Sequence, residues 1–191
     1  MRGEAGTAEM NLSVADRLAL TDLVHVYAAA VDDRRFGEVV ELFTETAELR
    51  LPDPPRFLEP IHRHRGHDGV RSALGALAAV DRTEHAIVGE VYAAGTDADY
   101  ALGRITCIAH HWSLADELGA PPARGGVTDL VWHLRYDDEY LRTQSGWRIH
   151  GRALTINAIE TRPVRRLRQH PPRTRPGPDP ASDGRESPAD P

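Results

Sequence analysis

Lysine is absent from this chain: all 23 of its basic residues are arginine. Together with abundant Ala, Gly, Pro and Asp, that bias reads as the codon usage of a GC-rich genome. There is a single cysteine, Cys107, which excludes an internal disulfide framework and a cysteine-rich metal site and fits a reducing compartment. Cys107 stands in an apolar run and reads as a buried, inert thiol. Nowhere does an uninterrupted apolar run reach the length of about 18 residues that a membrane-spanning helix needs. The opening residues MRGEAGTAEMN lack the apolar segment of a secretory signal, so the expectation is a cytoplasmic protein with no membrane partner. No glycine-rich phosphate loop follows a predicted strand. A basic surplus is missing too. The net charge of −6 argues against nucleic acid as a partner, because phosphate binding needs a concentrated basic surface. Only residues 162–191 run basic, with seven Arg against four acidic groups.

What is present suits one domain. A chain of 191 residues, 40% hydrophobic, can bury a single core. Residues 1–11 read as a flexible leader and 12–162 as the folded domain. Residues 163–191, rich in Pro, Arg, Gly and Asp, read as a disordered tail. Ser13 is placed to cap a first helix in which Leu20, Leu23, Val24, Tyr27 and Val31 recur at helical spacing. Phe36, Val39, Val40 and Phe43 repeat that spacing in a short second helix. A strand over 47–51 meets PDPP, whose prolines interrupt ladder pairing, so 53–67 is expected to be loop. Asp68 can cap a third helix with Val70, Leu74 and Leu77 on its apolar face. The period then changes to two. Residues 85–93, 99–112, 127–142 and 147–159 read as four strands joined by short links, forming an antiparallel meander. Helices first and strands afterwards indicate the α+β class.

Within this plan Asp32 lies four and eight residues beyond Ala28 and Val24, on the stripe that faces the core. A carboxylate there needs a cation or a wet cavity, since unpaired burial is costly. Capping of the next helix is the competing role for Asp32 and Asp33. His85 opens the first meander strand, and His110 and His111 close the second. Alternation sends those two neighbours to opposite faces, so only one of them shares a cavity with His85. A carboxylate beside an imidazole fixes its tautomer and raises its basicity, which suits a general base. Trp132, Tyr136 and Trp147 are packing aromatics or, for one of them, a pocket wall. Arg152, with His150 on its strand face, is either a substrate-binding cation or half of a structural ion pair. His62, His64 and His67 match no ordered metal-ligand spacing, and no metal is expected.

The stretches YAAAVDDRRFGEVVELFTETAEL, EHAIVG, CIAHHW and YDDEYLRTQSGWRIHGR resemble the nuclear-transport-factor-2-like superfamily, in particular its SnoaL-like branch. The resemblance spans roughly residues 12–159. It implies a cone-shaped α+β barrel, with three N-terminal helices packed on a curved antiparallel sheet around a pocket. At its polar positions the chain is most similar to scytalone dehydratase and the bile acid dehydratases. That similarity places Asp32 at the catalytic aspartate, His110 at its histidine partner and His85 at a second histidine. It places Tyr27 and Arg152 at substrate-binding positions, and Trp132 is a further candidate wall of the pocket. Two tyrosines of scytalone dehydratase are missing, with Val31 before the aspartate and Pro52 in the first strand.

The resemblance implies a cofactor-free lyase or isomerase acting on a small oxygenated ring compound, such as a polyketide or terpenoid intermediate, with neither metal nor organic cofactor. Dehydration is the expected outcome, with SnoaL-like aldol cyclisation as the alternative. A non-catalytic module binding a small ligand or a partner is the reading from another class. The expected partners are a small-molecule substrate and a second copy of the chain in a homodimer or other homo-oligomer.

Overall fold

The computed structural model describes residues 11–114, 126–165 and 167. The expected leader and most of the expected tail lie outside the described residues, as does much of the LGAPPARGG link. Helix α1 (Val14–Asp32) begins at Ser13, whose hydroxyl accepts the backbone N–H of Asp16, satisfying one of the orphan donors of the first turn. Helix α2 (Phe36–Glu41) follows after a turn in which Arg34 takes a positive φ of 59°. Helix α3 (Gly66–Gly75) runs into a 3-10 turn over Ala76–Ala79. It starts earlier than expected, and Asp68 sits in its first turn, bonded to Arg71 at 2.8 Å. Among the described residues no helix is long and apolar enough to cross a membrane.

Six strands, β1 (Phe43–Asp53), β2 (Phe57–Arg65), β3 (Arg82–Ala94), β4 (Tyr100–Leu114), β5 (Val127–Thr143) and β6 (Gly146–Val164), form one curved, unclosed sheet. Their order is β2-β1-β6-β5-β4-β3. The meander from β3 to β6 is antiparallel throughout, as its period-two pattern predicts. Two expectations change. The sheet is mixed, because β1 lies parallel to β6, with Leu49 opposite Arg152. Residues 57–65, expected to be loop, are an edge strand: the prolines occupy the turn at 54–56, and β2 then pairs antiparallel with β1, Leu51 opposite His62 and Leu49 opposite His64. An edge strand needs only one satisfied ladder, and a charged, histidine-rich sequence protects its free side.

Helices α1 and α3 cover one face of the sheet. On β4 the odd residues Ala101, Ile105, Cys107, Ala109 and His111 are buried against them, while Leu102, Arg104 and Thr106 are exposed on the other face. The core gathers the apolar stripe of α1 (Leu20, Leu23, Val24, Tyr27, Val31), Val70 and Leu74 of α3, and Leu134, Tyr136, Tyr140, Ile149 and Ile156 of β5 and β6. Irregularities in the β5–β6 ladder, between Glu139 and Tyr140 and between His133 and Leu134, bend the last hairpin round this core.

Candidate active site

Between the helices and the inner sheet face lies a cavity of about 140 Å³. Its walls are apolar over most of their extent: Val31 of α1, Leu49 and Leu51 of β1, Leu74 and Leu77 at the end of α3, Leu134 of β5 and Leu154 of β6. The polar side chains among them are few. Tyr27 comes from α1, His85 from β3, His111 from β4, and Trp132 and Tyr136 from β5.

Asp32, at the last turn of α1, meets His85 at the start of β3. The carboxylate makes two hydrogen bonds to that one residue: Oδ2 accepts the backbone N–H at 2.8 Å, and Oδ1 lies 2.7 Å from Nδ1 of the ring. An ionised carboxylate only accepts, so Nδ1 carries a hydrogen and Nε2 of a neutral His85 is left as the basic nitrogen. Burial works against ionisation of Asp32, but the hydrogen bonds and charge of His85 outweigh it and hold the carboxyl below its ordinary range,. The imidazole is well shielded, its side chain 8% exposed. This is the arrangement of an oriented general base.

His111 faces the same cavity, its ring centre 6.2 Å from that of His85 and 4.4 Å from that of Trp132. Its Nδ1 is 3.1 Å from the carbonyl oxygen of Leu130. A carbonyl accepts, so His111 also carries its hydrogen on Nδ1. Burial first, then the proximity of His85, pushes its pKa down to about 4, and the ring is uncharged at neutral pH.

His110 stands elsewhere. The expected pairing of Asp32 with His110 is replaced by Asp32 with His85, because β3 and β4 set His85 opposite Ala109 and so put the odd residues of β4 on the cavity side. His110 points to the opposite sheet face, where Nδ1 lies 2.8 Å from Asp129 and the ring stacks on Trp112. The position of His111 was legible in RITCIAHHW: Arg104 and Thr106 are polar at even positions, and that parity sends His110 outward with them.

Arg152 takes the structural one of its two readings. It is fully buried, bonded to Asp138 through Nε at 2.9 Å and Nη2 at 2.7 Å, and its guanidinium sits 4.1 Å from the ring centre of Tyr27 and 4.3 Å from that of Tyr136. It backs the two tyrosines and does not line the cavity. Burial raises the pKa of Tyr27, opposed by the Arg152 charge, and burial raises that of Tyr136 strongly; both hydroxyls stay protonated and able to donate. His150 does not share the face of Arg152, because it is the extra residue of the bulge opposite Glu139 and Tyr140, and its Nδ1 lies 3.0 Å from the Thr44 hydroxyl. Of the three loop histidines, His67 contacts the carbonyl oxygen of Phe43 at 3.1 Å, and His62 and His64 lie along β2.

A larger depression, about 340 Å³, lies on the outer sheet face around Arg50, Leu102, Arg104 and Asp137. Most of its charges are already engaged, Asp137 with both Arg104 and Arg135 and Arg50 with Glu48, and no imidazole lines it. The inner cavity, though smaller, is therefore the candidate site.

The SnoaL-like domain matches residues 12–153. No curated protein sequence matches the chain. Among solved structures, the Kfla4162 protein of Kribbella flavida is similar at 25% identity and a TM-score of 0.64, over 76% of this chain and 93% of that one. A scytalone dehydratase-like protein of Novosphingobium aromaticivorans is similar at 18% identity and a TM-score of 0.61, over 85% and 96% of the two chains. A hexachlorocyclohexane dehydrochlorinase, LinA type 2, is similar at 18% identity and a TM-score of 0.62, over 84% and 97%. These likenesses establish a shared fold, and the match over residues 12–153 establishes the family: this chain is a member of the SnoaL-like domain family, within the nuclear-transport-factor-2-like superfamily.

Proposed function

We propose that the chain is a lyase in which His85, aligned by Asp32, removes a proton from a carbon next to a carbonyl group of a small oxygenated ring compound. One observation carries the reading: the imidazole of a two-bond Asp–His pair opens on an apolar cavity, with hydroxyl donors on the same wall. Low polarity strengthens each electrostatic contact there and keeps the base from being levelled by water. As the C–H bond breaks, its electron pair passes into the carbonyl to give an enolate, whose oxygen accepts a hydrogen bond from Tyr27. Arg152, closed against Asp138 behind the tyrosine rings, holds those rings in position. The enolate then expels a hydroxyl from the β carbon, and the proton held by His85 completes the leaving water. Proton transfers and one C–O cleavage account for the whole reaction, so it needs neither a redox cofactor nor a metal. Aldol cyclisation uses the same base, with the enolate attacking an internal carbonyl.

Two of the similar folds carry names denoting loss of water and loss of hydrogen chloride, both of them eliminations. The test uses 3-hydroxycyclohexanone in D₂O. Wild-type protein is expected to speed both deuterium entry at the carbon next to the carbonyl, read by NMR, and formation of the conjugated enone. His85→Ala should abolish both. A His85→Ala protein that exchanges deuterium at the wild-type rate would remove His85 as the base.

A further inference from the structure

The cavity wall also constrains what it can hold. A hydrocarbon-lined cavity of about 150 Å³ accommodates a benzene ring, and this one, at about 140 Å³, has room for one six-membered ring and not for two fused rings. Its wall holds no Arg, Asp or Glu side chain to pair with an ionic ligand. Asp32 commits both oxygens to His85. Arg152 is fully buried and engaged with Asp138. Neither lines the cavity, so a carboxylate, phosphate or ammonium entering it would lose its hydration without gaining an ionic partner, at heavy cost.

The imidazoles add a directional constraint. His85 donates from Nδ1 to Asp32, and His111 donates from Nδ1 to the Leu130 carbonyl. Both therefore present Nε2 as an acceptor. Two acceptors with ring centres 6.2 Å apart suit a substrate in which one approaches a C–H and the other receives an O–H. The low pKa of His111, about 4, keeps it an acceptor throughout the neutral range.

We infer that the site selects an uncharged, single-ring hydroxy compound, whose hydroxyl donates to Nε2 of His111 while a neighbouring ring carbon faces Nε2 of His85. The inference rests on the lyase reading for the role of His85, but the preference for a neutral, monocyclic, hydroxylated ligand is a property of the wall and can be measured without turnover.

The test is a saturation-transfer NMR titration of the full chain with phenol, toluene, benzoate and 2-naphthol. Phenol is expected to bind about tenfold tighter than toluene, the scale of one buried hydrogen bond. Benzoate and 2-naphthol should show no saturable binding. His111→Phe should reverse the order of phenol and toluene. His111→Gln, which restores an acceptor, should return the preference for phenol, and retained toluene binding shows that each variant is folded. His110→Ala should leave phenol affinity within about threefold, since that ring lies on the opposite sheet face with Asp129 and Trp112,. Benzoate or 2-naphthol binding as well as phenol, absent saturable phenol binding, or an unchanged phenol–toluene order in His111→Phe would each overturn the inference. If the binding pattern holds while 3-hydroxycyclohexanone is neither exchanged nor dehydrated, the lyase reading fails alone; turnover with the wrong binding pattern removes the specificity inference alone.

Discussion

Two aspartate–histidine pairs occupy opposite faces of one sheet, and burial and surroundings separate their roles. The Asp32–His85 pair opens on an apolar cavity, whereas His110 and Asp129 lie on the outer face beside Trp112. Asp32→Asn keeps the shape of the inner pair but loses the charge that fixes the His85 tautomer, and turnover should fall by about 10²–10⁴-fold. His110→Ala should leave turnover within about twofold, because that ring reaches no cavity atom. Comparing kcat/KM of the two variants checks the assignment. Parity explains why the resemblance alone misled here: two adjacent histidines satisfy the same motif, and only the strand register decides which of them faces inward. His111 offers a separate measurement. Its folded pKa is about 4 against an ordinary 6.5, so between those values the unfolded chain binds a proton that the folded protein refuses. Stability therefore rises with pH across that window and is lost as pH falls through it, by on the order of 3 kcal/mol in total. Urea denaturation at a series of pH values from 4 to 7 should show this slope, and His111→Phe should flatten it.

At the scale of elements, the β5–β6 hairpin carries an ion pair inside the core. Asp138 and Arg152 are directly opposed on neighbouring strands; both side chains are fully buried, and Tyr140 donates to the same carboxylate at 2.6 Å. Truncation to Asp138→Ala leaves a buried guanidinium without its counterion and should cost about 3–5 kcal/mol. The double variant Asp138→Leu/Arg152→Met should recover most of that loss, since a well-packed apolar pair replaces a buried ion pair at little net cost. Urea midpoints of the single and double variants decide it, and equal destabilisation of both would show that shape rather than charge governs the position. The sequence made this hairpin visible through alternating YDDEYLRT and WRIHGRAL around a tight turn. It could not reveal that Arg152 would spend its charge on Asp138, because that choice depends on a bulge at His150, which resets the parity of β6. The edge strand β2 was hidden for a different reason. Six of its nine residues are exposed and none is fully buried, so it lacks the apolar alternation by which a half-buried strand is read, and its pairing with β1 follows from a chain reversal at the prolines that local propensity reads only as an interruption.

Taken whole, the molecule is a bent sheet with helices laid over one face, and the cavity is the part of that interface the core does not fill. Helical and strand periodicities were enough to give the α+β order and the face that α1 buries, since both depend on residues close in sequence. The parallel contact of β1 with β6 joins segments about a hundred residues apart, and no local pattern encodes it; it is this contact that brings Leu49 and Leu51 to the cavity wall. If the cavity is free space kept open for a ligand, filling it should separate function from stability. Ala73 of α3 lies on the wall and is 9% exposed. Ala73→Phe should place a ring where we place the substrate, reducing phenol binding below detection and turnover by at least about a hundredfold, while the urea midpoint stays unchanged or rises because new apolar contacts are made without displacing packed neighbours. A matched substitution on the other face, Leu102→Phe, should alter neither binding nor turnover. If Ala73→Phe instead unfolds at markedly lower urea, by the about 1–3 kcal/mol typical of an overpacked core, the space between helices and sheet is part of the packed interior, and the site must be sought elsewhere.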